Sequence, residues 1–195
     1  MRRIGSLLAL LAFAAPLSAQ NVVGSDHDLR GQTGKQIQDY GQVCVYCHTP
    51  HKATTKNVAL WNRSLTGLGP YTMYFPTTKP GQSATPQPAS LSCLSCHDGT
   101  VALDLIVNVP SPGGPSLGGK MTGGHVIGTD LSDDHPISID YPNSPGDFNP
   151  SPSGPKLYTN KVECASCHNP HSTQYGEFLR MSNTGSALCL ACHKR

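Results

Sequence analysis

Eight cysteines occur in this chain of 195 residues, and they form four pairs of one spacing: Cys44-Val45-Tyr46-Cys47-His48, Cys93-Leu94-Ser95-Cys96-His97, Cys164-Ala165-Ser166-Cys167-His168 and Cys189-Leu190-Ala191-Cys192-His193. Every pair is followed directly by histidine. On a helical turn residues i and i+3 share a face, so both sulfurs of a pair can form thioethers with the two vinyl groups of one porphyrin. The histidine one step on reaches the iron as proximal ligand, and C-x-x-C-H is the attachment signature of haem c. Four covalent haems c are therefore expected, held by Cys44, Cys47, Cys93, Cys96, Cys164, Cys167, Cys189 and Cys192, with His48, His97, His168 and His193 as proximal iron ligands.

Other uses of paired cysteines fit less well. A disulfide framework suits an exported chain but gives no reason for a histidine after every second cysteine. Zinc ribbons also pair C-x-x-C knuckles, yet four histidines at one offset would be coincidence there. Thioredoxin-like redox pairs want a βαβ setting, which a chain with 20 Gly and 17 Pro does not offer.

Of the nine histidines, His27, His51, His125, His135 and His171 remain once the proximal four are assigned. Aligned on the motifs, the chain reads as a repeat. The first half runs Ser25-Asp26-His27, the first motif with Thr49-Pro50-His51, Trp61-Asn62-Arg63, then the second motif. The second half runs Ser132-Asp133-Asp134-His135, the third motif with Asn169-Pro170-His171, Phe178-Leu179-Arg180, then the fourth motif. Each half is a two-haem module with two spare histidines, so His27, His51, His135 and His171 are the expected distal ligands of four bis-His irons. His125, in Gly123-Gly124-His125, is the odd one out and reads as a loop residue.

His51 and His171 each lie three residues after a proximal histidine, so both side chains leave one face of the turn and cannot clamp a single iron. Each is expected to ligate a different haem, which forces that haem close by; packing on a porphyrin edge is the other use of Pro50-His51 and Pro170-His171. Arg63 and Arg180, aligned in the repeat, suit propionate contacts, and Trp61 and Phe178 suit packing on porphyrin. Met73, Met121 and Met181 read as packing residues while histidine is available. Asp130, Asp133, Asp134, Asp140 and Asp147 lack the ordered spacing of a cation site. Imidazole pairs without an axial Met predict low potentials.

The elements that position these groups are expected to be short. Residues 1–19, with Arg2, Arg3 and an apolar run of 14 residues, read as a signal peptide, the run being too short to span a bilayer. No Cys follows it, so lipid anchoring is not expected. Its loss leaves 12 Lys and Arg against 12 Asp and Glu, with no basic excess to hold nucleic acid, and no second apolar run that would span a membrane. Charged residues are only 13% of the chain, about half the usual ~25%. A chain so short and polar builds little core of its own, and four macrocycles would supply it, their propionates adding on the order of −8 if all ionise. The expected modules are 20–109 and 125–195, joined by a Gly/Pro linker over 110–124. Residues 76–88 and 142–155 are also proline-rich and suit extended coil or disorder. Residues 101–109 suit a short strand, and residues 35–46, the four attachment turns and residues 177–182 suit helix. The expected fold is mostly coil with short helices and little strand, wrapped around a stack of four haems.

In these stretches the chain resembles the doubled C-x-x-C-H family of multihaem cytochromes, and within it the OmcE-type tetrahaem cytochromes of extracellular filaments. The resemblance is carried by Ser25-Asp26-His27-Asp28-Leu29, the first motif through His51, Leu60-Trp61-Asn62-Arg63, the second motif with Asp98-Gly99-Thr100, Asp134-His135-Pro136-Ile137-Ser138, Val162-Glu163 with the third motif, and Phe178-Leu179-Arg180. It implies a coil-rich subunit around four stacked bis-His haems, polymerised head to tail with one distal histidine donated by the next subunit. His27, on the N-terminal segment, is the candidate donor. Its implied role is a conduit taking electrons from an upstream cytochrome to an extracellular acceptor such as a mineral, an electrode or a partner cell. A monomeric periplasmic shuttle is the nearer alternative. A multihaem reductase is the more distant one, since catalysis needs an iron with an open distal position.

Overall fold

The computed structural model describes residues 22–55, 58–74, 81–142 and 146–194, so residues 1–19, the expected signal peptide, lie outside the described residues. Most of these residues are turn, bend and extended coil. The helices are α1 (Pro88–His97), α2 (Cys164–Cys167) and α3 (Ala187–Cys192), with 3₁₀ turns at Thr33–Lys35, Val43–Tyr46 and Thr184–Ser186. One antiparallel pair, β1 (Ile139–Asp140) and β2 (Lys161–Val162), sets Ile139 opposite Val162 and Asp140 opposite Lys161. No helix among the described residues is long and apolar enough to cross a membrane.

Each attachment motif is a helical turn. In the first, third and fourth, the histidine N–H donates to the carbonyl of the first cysteine: His48 to Cys44 at 2.8 Å, His168 to Cys164 at 3.1 Å and His193 to Cys189 at 2.9 Å. The second motif is the last part of α1, the longest helix among the described residues. Pro88 opens α1, its fixed φ suited to a first turn whose N–H groups have no helical partner. Gly99, at φ 73° just past its end, adopts the left-handed conformation that stops a helix.

Two small apolar clusters lie beside these turns. The first joins Ile37, Tyr40, Val45, Tyr46, Leu103 and Ile106, with Cys47 and Cys96 packed on it. The second joins Met73, Leu94 and Leu131. α1 bridges them, Leu94 entering one cluster and Cys96 bordering the other.

Three expected elements form otherwise. The helix over 35–46 is cut: Gln36 turns left-handed at φ 59°, and Gln38 N–H donates to the Asp104 carboxylate at 2.7 Å. Only the turns at its two ends remain helical. Residues 101–109 form no strand, because their backbone groups find three separate partners: Leu103 N–H donates to Gly119 O, Leu105 N–H to Ala102 O and Val107 N–H to Asn62 O. Residues 177–182 are not helical either; Glu177 and Phe178 both have positive φ, at 44° and 54°. Within 110–124, Leu117 N–H donates to Asp104 and Gly119 N–H to Gln36 O. Gly119 is required there, since a Cβ would meet the Lys35 carbonyl at 2.2 Å.

Candidate haem attachment and iron-ligand sites

The first and third motifs are built alike. After each turn the chain returns as a loop that bridges back onto the proximal histidine, Trp61 opposite His48 and Leu179 opposite His168. Asn62 N–H donates to Cys47 O at 2.8 Å, and Arg180 N–H to Cys167 O at 2.9 Å. Thr49 N–H donates to Leu60 O at 2.7 Å, and Asn169 N–H to Phe178 O at 2.6 Å. These bonds make Leu60 equivalent to Phe178, Trp61 to Leu179 and Asn62 to Arg180. The sequence alignment of Arg63 with Arg180 and of Trp61 with Phe178 is therefore one residue out of register, since side-chain type outvoted backbone position.

The same loops fix the proximal rings. His48 Nδ1 lies 2.8 Å from Ala59 O, and His168 Nδ1 lies 2.9 Å from Glu177 O, the equivalent residue. His97 Nδ1 lies 2.9 Å from His125 O. A carbonyl only accepts, so Nδ1 carries the proton and Nε2 keeps its lone pair for a metal. His125 thus holds the ring of His97, an expected proximal ligand, through its backbone carbonyl, a contact its loop setting did not signal. Among the expected distal ligands, His135 Nδ1 lies 3.1 Å from Pro136 O.

Six of the eight expected iron ligands face each other in three pairs. The ring centroids of His27 and His97 are 6.3 Å apart at 75°, those of His48 and His171 are 5.9 Å apart at 23°, and those of His135 and His193 are 6.4 Å apart at 80°. Each pair joins one histidine of a C-x-x-C-H motif to one spare histidine. Two imidazoles sharing a metal, at about 2 Å per metal–nitrogen bond, place their centroids about 6 Å apart. Among the described residues, His168 faces no ring at that distance, and His51 and His125 stand exposed. His27 lies against His97 of its own chain and 4.3 Å from Phe178. That position is at odds with its reading as the ligand donated to a neighbour, because its ring is already seated opposite a proximal histidine.

Burial lowers the pKa of His27, with the nearby His97 adding to the effect, and burial with the neighbouring His48 lowers that of His171. Both shifts favour the neutral imidazole that a metal requires.

The attachment cysteines also adjoin. None of the eight is in a disulfide. Cys47 and Cys96 border one apolar cluster. α1 packs on α2, and Ser90 of α1 accepts from Cys164 N–H at 3.0 Å. Burial pushes the Cys47 thiol up to about 12, so the unmodified group is a protonated thiol at neutral pH. Among the described residues no group of three or more His, Cys, Asp and Glu clusters as for a bare metal ion.

These residues fit haem c. The donor set is imidazole and thiol, three rings present a free Nε2, and the pair separations suit one iron each. Trp61 Nε1 is buried beside His48 with no acceptor among the described residues, a donor that a carboxylate of the cofactor would satisfy. Arg63 is not available for a propionate, because its guanidinium turns inward onto Ser95, Ala102 and Leu103.

A family model described as the doubled CXXCH motif matches residues 158–195, which carry the third and fourth attachment sites. No curated protein matches the chain.

Proposed function

We propose that this chain is an exported tetrahaem cytochrome whose bis-His haems c carry electrons, polymerised head to tail as an extracellular conductive filament. The doubled C-x-x-C-H motif over 158–195 points to a multihaem c-type cytochrome in electron transfer. The observation that carries the reading is the set of three imidazole pairs at 5.9 to 6.4 Å, each joining a proximal to a spare histidine.

Haem c supplies one-electron redox chemistry when bound. The chain's residues supply the spacing. The paired His48 and His171 tie the first attachment turn to the third, the apolar cluster bordered by both Cys47 and Cys96 holds the first beside the second, and the Cys164 N–H to Ser90 Oγ bond holds the third beside α1.

The filament reading turns on His168. The first and third motifs both end in x-Pro-His, yet only His171 is seated opposite the other motif's proximal ring, while among the described residues neither His51 nor His168 is paired with a ring. Within the filament, His51 of a neighbouring copy completes the iron of His168. A contact of that kind joins two different surfaces, does not close, and generates a fibre.

Cryo-electron microscopy of material sheared from producing cells tests this. A fibre with a continuous haem chain and His51 crossing between copies is the expected result. Discrete particles with four internally ligated haems would make the protein a shuttle, and an iron with an open position would favour a reductase.

A further inference from the structure

The least expected charge in the molecule is that of Arg63. Its side chain is among the most buried, at 1% exposure. Four bonds hold the guanidinium: Nε to Ser95 Oγ at 3.1 Å, Nη2 to Ser95 O at 2.8 Å and to Ala102 O at 2.9 Å, and Nη1 to Leu103 O at 2.7 Å. Every acceptor is neutral, and no ion pair among the described residues includes it. The buried carboxylates are engaged elsewhere, Asp98 with Tyr71 and Thr100, Asp104 with Gln38, Ser116 and Leu117, and Glu163 with Ser90 and Ser138.

Its place is between two attachment turns. Ser95 lies inside the second motif, between Cys93 and Cys96. The preceding residue, Asn62, donates its N–H to Cys47 O of the first motif at 2.8 Å. Cys47 and Cys96 border one apolar cluster, to which Leu103, an acceptor of Arg63, also belongs. The third motif has a cation that is less buried: Arg180 takes the backbone place of Asn62, is only half-buried, and reaches Ala165 O and Tyr158 Oη.

A charge fixed in a water-poor interior acts over a longer range than one at the surface. One-electron reduction of a ferric bis-imidazole haem lowers the charge of its iron–porphyrin unit from +1 to 0, with no bond made or broken. A fixed cation nearby therefore favours the oxidised form less than the reduced one.

Resting on the haem-binding reading above, we propose that Arg63 raises the reduction potentials of the two haems held by Cys44/Cys47 and Cys93/Cys96 relative to the other two. The chain then has a built-in difference between its halves, with the first two haems the more readily reduced.

The test is a spectroelectrochemical titration of the holoprotein, with haem content measured separately as the pyridine haemochrome. Four haems per chain are the expected content, and a different number defeats the haem reading rather than the role of Arg63. In Arg63→Gln carrying four haems, two of the four midpoints are expected to fall and two to hold, and Arg63→Lys is expected to return them to wild-type values. Four unchanged midpoints, or four that move together, would overturn the proposal. Should Arg63→Gln fail to mature, wild-type midpoints assigned by NMR decide. The haems of Cys44/Cys47 and Cys93/Cys96 must hold the two highest values, and any other ranking overturns it.

Discussion

His48 and His171 stack at 5.9 Å with their rings within 23° of parallel, although one belongs to the first attachment turn and the other to the third. A histidine three residues after a proximal ligand cannot serve that ligand's own iron, because both leave the same face of the turn. Seated opposite His48, His171 is placed to serve the other turn instead, as the proposed function requires. The pairing thus fastens the two halves of the sequence together at the place where a metal would lie, and metal binding and tertiary structure become one event.

Removing His171 should therefore open one site and no other. In His171→Ala the haem of Cys44/Cys47 loses its distal ligand, and one iron in four is expected to become high-spin, read by electron paramagnetic resonance. That change should be the same in monomer and fibre. His51→Ala should also yield one high-spin iron, now at Cys164/Cys167, together with loss of fibres. Fibres with four low-spin irons in His51→Ala would remove His51 from its assigned role.

The part of this arrangement legible in the sequence was its chemistry. C-x-x-C-H requires only contacts within one turn, so spacing alone exposes it, and a mostly coil chain followed from so much Gly and Pro. What was not legible depends on partners far along the chain. Residues 101–109 have the composition of a strand, but Asn62 and Gly119 take their backbone groups. Residues 35–46 have helical composition, but the Asp104 carboxylate captures Gln38. The repeat was visible, yet its register slipped by one between the first and third loops. Two arginines matched by type, whereas the backbone matches Asn62 with Arg180.

That register makes Asn62 a test of the loop lock. Asn62 is fully buried; its Nδ2 donates to Val45 O at 2.8 Å and its Oδ1 accepts from Asn108 N–H at 2.9 Å. Asn62→Ala leaves an acceptor and a donor without partners, each costing about 1–3 kcal/mol when buried. Holoprotein stability to guanidinium should fall by about 2 kcal/mol or more. A loss under about 0.5 kcal/mol, the range of ordinary surface substitutions, would show that the lock lies elsewhere.

Glu163 gives a prediction in pH. It is buried before α2 and accepts from Ser138 Oγ at 2.9 Å and from Ser90 Oγ. Burial raises its pKa above the ordinary value of 4.5, the two serine bonds and Lys161 only partly opposing this. The folded chain therefore keeps this proton to a higher pH than the unfolded chain does. Between those two values the native state binds more protons, so the contribution of Glu163 to stability falls as pH rises and then levels off. Glu163→Gln keeps the shape and cannot ionise. The stability difference between the two proteins, followed by thermal unfolding from pH 4 upward, should move in favour of the glutamine form as pH increases through that window. A difference that stays flat would place the carboxylate in water or beside a cation, and one that moves the other way would require a lowered pKa and a buried positive partner.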